Sequence, residues 1–196
     1  MAIEKLPKSM NPKNIIAGKA IEKVARNEYL TNRIDKLKNN PAWQKNMVGG
    51  FWNKLTEKDK LKLYKEGSLS FTKMLERGFT ASNPLFMPLV PLFKKYDSPR
   101  LKLIGPYLPM ALRYLVQIGL LPSPQGLTPV DIIKDIKKDQ RGLKCFILAV
   151  EAIVGIFAPE CVAEMQEINT IIFGFNNAKT IIAQKQQGKE KKNMRA

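Results

Sequence analysis

Apolar residues recur along this chain at intervals of three and four, and no stretch alternates apolar with polar long enough to make a strand. Ile15, Ile16, Ala20, Ile21, Val24 and Ala25 suit one helix, and Leu30, Ile34 and Leu37 continue the spacing to Asn39. Trp43, Met47, Phe51 and Leu55 repeat at four, with Val48 and Trp52 beside them, which predicts a helix carried through Gly49-Gly50. Leu61, Leu63 and Tyr64 belong to the next, and a short helix over 69–77 follows. Further helices are predicted from about Pro109 to Ile118, over 128–139 on Val130, Ile133 and Ile136, and over 143–157, where nearly every face is apolar. The last runs from Pro159 to about Gln187, with Val162, Met165, Ile168, Ile172, Phe175 and Ile182 on one side. The pattern predicts an all-α protein of eight to nine helices without an internal repeat.

Residues between these segments explain where helices begin and end. Asn11-Pro12, Asn40-Pro41, Asn83-Pro84, Ser98-Pro99 and Thr128-Pro129 each place a capping side chain before a proline, which loses no hydrogen bond at the first helical position. Thr56 and Asp59 resemble a capping box, and Gly67 stops the helix they open. From Pro84 to Pro109 repeated prolines limit the chain to short helices or turns. Leu121-Pro122-Ser123-Pro124-Gln125-Gly126 is the strongest break. It predicts two small helical subdomains joined by a Pro/Gly linker: a basic part over 1–121, the linker over 122–127, a second part over 128–187, and a basic, mobile tail over 188–196.

Charge changes the picture more than composition does. There are 33 lysines and arginines against 17 acids, a net charge of +16, and no histidine. Residues 1–66 hold 15 bases against 7 acids, whereas residues 126–187 hold 7 of each. Such a field concentrates polyanions, so nucleic acid and the anionic face of a membrane are the expected partners. Lys19, Lys23, Arg26 and Arg33 fall along one side of the first helix, and Lys54, Lys58, Lys62 and Lys65 make a similar run. Lys94, Lys95, Arg100 and Lys102 form a third cluster in the proline-rich stretch. Lysines outnumber arginines 26 to 7, which favours general phosphate contact over base reading. Trp43, Phe51 and Trp52 lie among these bases, where they could stack on unpaired bases, although their helical spacing favours a core role.

The remaining chemistry is sparse. Without histidine the chain lacks the usual neutral-pH base and the commonest metal ligand, and Cys145 and Cys161 alone cannot build a zinc site. Both cysteines sit in apolar helical segments, which predicts unpaired, inert thiols and fits a reducing compartment. Asp131, Asp135 and Asp139 alternate with lysines as on a solvated helix face. Gly49-Gly50 lacks the lysine and hydroxyl of a phosphate loop. No catalytic residue, metal or cofactor is expected. The N-terminal stretch has no apolar core of a secretory leader, and the apolar run 143–157 is too short to span a bilayer.

Size, an all-helical two-part body, the basic front and the Leu121–Gly126 break together resemble the matrix proteins of orthomyxoviruses, above all the small ones of the salmon-infecting isaviruses. The resemblance covers the whole chain. It implies a virion structural protein that lies beneath the envelope, at the cytoplasmic face of the host membrane. Such a protein binds anionic lipid through a basic surface, assembles into a shell and contacts ribonucleoprotein. The cysteine and histidine cluster of the influenza members is missing, so no zinc role is carried over. Separately, the balanced charge beyond residue 126 suggests that Asp131, Asp135, Glu160 and Glu164 meet the basic part of a neighbouring copy. The alternative is an RNA-packaging nucleoprotein or other nonspecific nucleic-acid binder, in which the same lysines track a phosphate backbone.

Overall fold

Helices are the only regular elements in the computed structural model, which describes residues 27–68, 103–125, 136 and 140–174. The described part is all-α. Helix α1 spans 27–38, followed by a π-helix at Trp43–Gly49 and a 3-10 turn at Trp52–Lys54. Helix α2 is Glu57–Glu66, and a 3-10 turn at Gly105–Tyr107 leads into α3, Leu108–Gln117. Helix α4 is Gln140–Phe157, and the turn Pro159–Cys161 leads into α5, Val162–Phe173. The backbone divides into two compact units, Met1–Arg33 with Thr170–Ala196, and Ile34–Asn169. The expected linker, 122–127, falls within the second of these units. Helices from both sides of that break, α3 and α4, pack on each other inside the second unit.

Local chemistry accounts for the boundaries. The Asn40 side chain accepts from the Ala42 N–H at 2.9 Å and more weakly from Trp43 at 3.4 Å, so the Asn-Pro start signal acts as a cap. The expected α-helix through Gly49-Gly50 is instead a π-helix that ends there. Its wider turn carries Trp43, Met47 and Val48 inward together. A Cβ on Gly50 would lie 2.4 Å from the Asn46 carbonyl oxygen, so only glycine fits where the chain turns out of the π-helix. At α2 the Thr56 hydroxyl accepts from the Asp59 N–H at 3.1 Å and donates to the Asp59 carboxylate at 2.6 Å. The short acid thus takes the hydroxyl proton and does not reach back to the Thr56 backbone as in a full capping box.

The core of the second unit is built on α3. All residues from Leu108 to Val116 are buried, and α3 packs against both α2 and α4. Tyr114 meets Phe146 edge to face at 5.4 Å and donates its hydroxyl to Asn169 Oδ1 at 3.2 Å. Burial pushes the Tyr114 phenol far above its ordinary range. Phe51 stacks on Phe157 at 5.0 Å, joining the turn before α2 to the end of α4. Each large apolar side chain fully removed from water contributes roughly 1.5–3 kcal/mol.

Two tryptophans hold the expected linker. The Trp43 indole N–H donates to the Leu120 carbonyl at 2.9 Å, and that of Trp52 donates to the Pro122 carbonyl at 2.9 Å. Leu120 and Leu121 are buried, and the Gln125 N–H reaches the Glu57 carboxylate at 3.3 Å. Residues 120–125 are therefore bound to the body on which α2 begins.

Two features define the later helices. Helix α4, apolar on nearly every face, is not covered on every side, because Leu148 is exposed and Glu151 half-buried. The α5 element closes at Phe173, where Gly174 adopts φ +68°, a left-handed conformation that glycine supplies cheaply at a helix end, and the rest of the expected helix, 175–187, lies outside the described residues. The helices expected over 69–77 and across Thr128 fall outside the described residues, apart from Ile136, which is helical and buried.

Candidate functional site

The lysine run on α2 is the part of the expected basic surface that the described residues contain most fully. Lys60, Leu63, Tyr64 and Gly67 repeat at three, four and seven and turn inward against α3. Lys58, Lys62 and Lys65 have the same repeat on the opposite side and are exposed. Lys54 is exposed on the 3-10 turn just before the helix. The acids of the first turn are engaged locally. Glu57 pairs with Lys60 at 2.7 Å and Asp59 takes the Thr56 hydroxyl. The hydrogen bond from Lys60, with a second from the Gln125 backbone, holds the Glu57 carboxyl below its ordinary range. No ion pair to Lys58, Lys62 or Lys65 occurs among the described residues.

Gly67 explains how closely this helix sits on its support. A Cβ there would lie 2.4 Å from the Pro109 carbonyl oxygen and 3.0 Å from Arg113 Cβ. Behind it the Arg113 guanidinium, only 1% exposed, lies over the Tyr64 ring at 4.7 Å. Desolvation lowers the Arg113 pKa, and the Tyr64 phenol partly offsets this. The lysine face is therefore carried by a helix whose inner side is tightly fixed.

Other expected site residues fall elsewhere. Arg33 is half-buried, with its Nε and Nη2 donating to the Tyr29 hydroxyl at 3.1 and 3.0 Å and its cation 5.2 Å from the Tyr29 ring centre. It belongs to the first unit, whereas Lys54, Lys58, Lys62 and Lys65 belong to the second. Lys19, Lys23, Arg26, Lys94, Lys95, Arg100 and Lys102 lie outside the described residues, as do Asp131 and Asp135. Glu160 is exposed. Glu164 is bound within the chain, by Lys36 at 2.7 Å.

The aromatic reading has a definite outcome. Trp43, Phe51 and Trp52 are 0%, 3% and 1% exposed, so they form core and offer no stacking platform for bases. Sequence reasoning also missed Lys38 and Lys45, both exposed. It did not foresee that Lys60 turns inward, although the buried spacing of Leu63, Tyr64 and Gly67 could have shown it. Cys145 and Cys161 are free and buried, and burial, followed by the nearby Glu160 and Glu164, pushes the Cys161 thiol up.

Among the described residues no cluster of three or more acidic or cysteine side chains could hold a metal ion, and no helix is long and apolar enough to cross a membrane. Comparison of the chain with protein-family models, curated proteins and solved structures gave no match.

Proposed function

We propose that this protein is a non-enzymatic, matrix-type structural protein that binds anionic membrane through a basic surface, assembles into a shell and contacts ribonucleoprotein. The observation that carries the reading is the exposed Lys58, Lys62 and Lys65 face of α2, with Lys54 beside it. A lysine near an anionic bilayer contributes about 1 kcal/mol, so several act together without a lipid anchor. Lys19, Lys23, Arg26, Arg33, Lys94, Lys95, Arg100 and Lys102 are assigned to anionic lipid or nucleic-acid binding on the sequence pattern alone. The proposal also carries the finer organisation of eight to nine helices in two subdomains, and a location beneath a viral envelope. For assembly it retains Asp131, Asp135 and Glu160 as partners of a neighbour's basic part. Glu164 is a weaker candidate because Lys36 already neutralises it.

Burial of Trp43, Phe51 and Trp52 supports a lipid surface over single-stranded nucleic acid as the main ligand, because the bases would lack aromatic partners there. Flotation with phosphatidylserine vesicles tests the reading. The protein floats with them and not with phosphatidylcholine vesicles, and Lys58→Glu, Lys62→Glu and Lys65→Glu together reduce partitioning by at least roughly a hundredfold, the sum of about three lysine contacts. Equal binding to both vesicle types overturns it. Protein purified at moderate salt with strong absorbance at 260 nm points instead to a nucleoprotein.

A further inference from the structure

Both large apolar side chains exposed among the described residues border one groove of the second unit. Leu103 is 42% exposed and Leu148 48%. The groove encloses about 490 Å³ and is lined by Leu148, Glu151, Ala152 and Gly155 of α4, by Val162 at the start of α5, and by Leu103 before the Gly105–Tyr107 turn. The four α4 residues recur at three, four and seven, so a single stripe of that helix forms the floor. The two leucines thus flank an apolar stripe that is open to a partner.

Gly155 marks what the groove accommodates. Its φ is not positive, and a glycine inside a helix costs about 1 kcal/mol relative to alanine. The described residues leave room for the missing methyl, because among them a Cβ would meet only Val162 Cγ2, at an ordinary 3.6 Å. Packing among the described residues therefore does not require this glycine, whereas a close neighbour over the stripe would. Among the described residues of the lining, Glu151 is the sole charged side chain. Burial pushes its carboxyl up while a hydrogen bond from Gln166 acts against this. An occupant without a cation would bury that carboxylate with no opposite charge beside it.

We propose that this groove is a docking site for an amphipathic helix of a partner protein, which sets aliphatic side chains between Leu103 and Leu148 and a lysine or arginine against Glu151. The mode is helix-in-groove recognition with a stripe of anchors on successive turns. Charge selects the occupant. An anionic lipid surface or a nucleic acid would place like charge on Glu151. The assignment is independent of membrane binding, which uses another helix.

The experiment uses the full chain and two fluorescein-labelled helical peptides that carry leucines on one stripe. They differ only in having a lysine or a glutamate within the stripe. At moderate salt the wild type binds the lysine peptide roughly five- to tenfold more tightly, the effect of about one part-exposed ion pair. The contrast is stringent because a +16 chain otherwise attracts the glutamate peptide. Glu151→Lys inverts the preference, Leu148→Asp removes binding of both, and Gly155→Ala weakens it several-fold while circular dichroism melts stay at wild type or rise by a few degrees. Tighter wild-type binding of the glutamate peptide, or unchanged binding by Leu148→Asp, overturns the proposal. So does self-association in sedimentation that Leu148→Asp abolishes, since the occupant is then a second copy.

Discussion

Helices α2 and α3 have ten residues each and pack on one another, yet they stand in opposite relation to water. In α3 every residue from Leu108 to Val116 is buried, while α2 buries Lys60, Leu63 and Tyr64 and exposes Lys58, Lys62 and Lys65. The difference lies in how much of the helical circumference is apolar. Leu-Pro-Met-Ala-Leu leaves α3 no polar side, so it must lie inside, whereas Glu-Lys-Asp-Lys-Leu gives α2 one narrow apolar stripe. Stability and surface chemistry are thus assigned to adjacent helices, and substitutions should separate them.

The largest loss is expected inside α3. Leu112→Ala should destabilise the fold by about 2–5 kcal/mol in urea unfolding, because Leu112 is wholly buried and the cavity closes only in part. Next comes the contact itself. Gly67→Ala forces a methyl against the Pro109 carbonyl and should cost about 1–3 kcal/mol, even though alanine favours helix elsewhere. A wild-type midpoint for Gly67→Ala would mean that the two helices can slide apart freely. Thr56→Ala, which removes the cap of α2 alone, should cost about 1 kcal/mol, and thermal melts should show this as a modest drop.

Single changes of Lys58, Lys62 or Lys65 to alanine should shift stability by less than about 0.5 kcal/mol each while vesicle flotation falls. A large loss of stability with unchanged flotation would assign the face to the fold and not to a ligand. The smallest effect is expected at Glu57. Its carboxyl is held low by Lys60 and the Gln125 backbone, so its contribution exists above the unfolded-state value and is lost as pH falls through the folded one. Wild type and Glu57→Gln should therefore differ slightly at neutral pH and converge in acid, as compared by urea midpoints.

Fold class was legible because it depends on spacing. The repeat at Leu61, Leu63 and Tyr64, the Thr56 cap and the Gly67 stop located α2, and the apolar run after Pro109 located α3 to within a residue. What escaped depends on contacts distant in sequence. The π-helix at Trp43–Gly49 has the same apolar intervals as an α-helix, and only the approach of Asn46 to Gly50 reveals it. Gly174 was legible in principle, yet the apolar spacing on either side concealed it. In the candidate surface, Lys58, Lys62 and Lys65 followed from helical period alone. The Lys36 pair with Glu164 joins residues 128 apart and leaves no local signal, and nothing nearby in sequence links Leu103 to Leu148.

Trp43 and Trp52 are the only two tryptophans in the chain, and both indole N–H groups end on carbonyls of the same short stretch, Leu120 and Pro122. The intrinsic fluorescence of this protein is therefore a local signal: nearly all of its emission at the red edge of excitation reports the closure of one strap. A change in emission wavelength without a change in far-ultraviolet ellipticity would record the strap lifting while the helices persist. The protein thus carries, without any label, an optical gauge of the segment that joins its two halves in sequence.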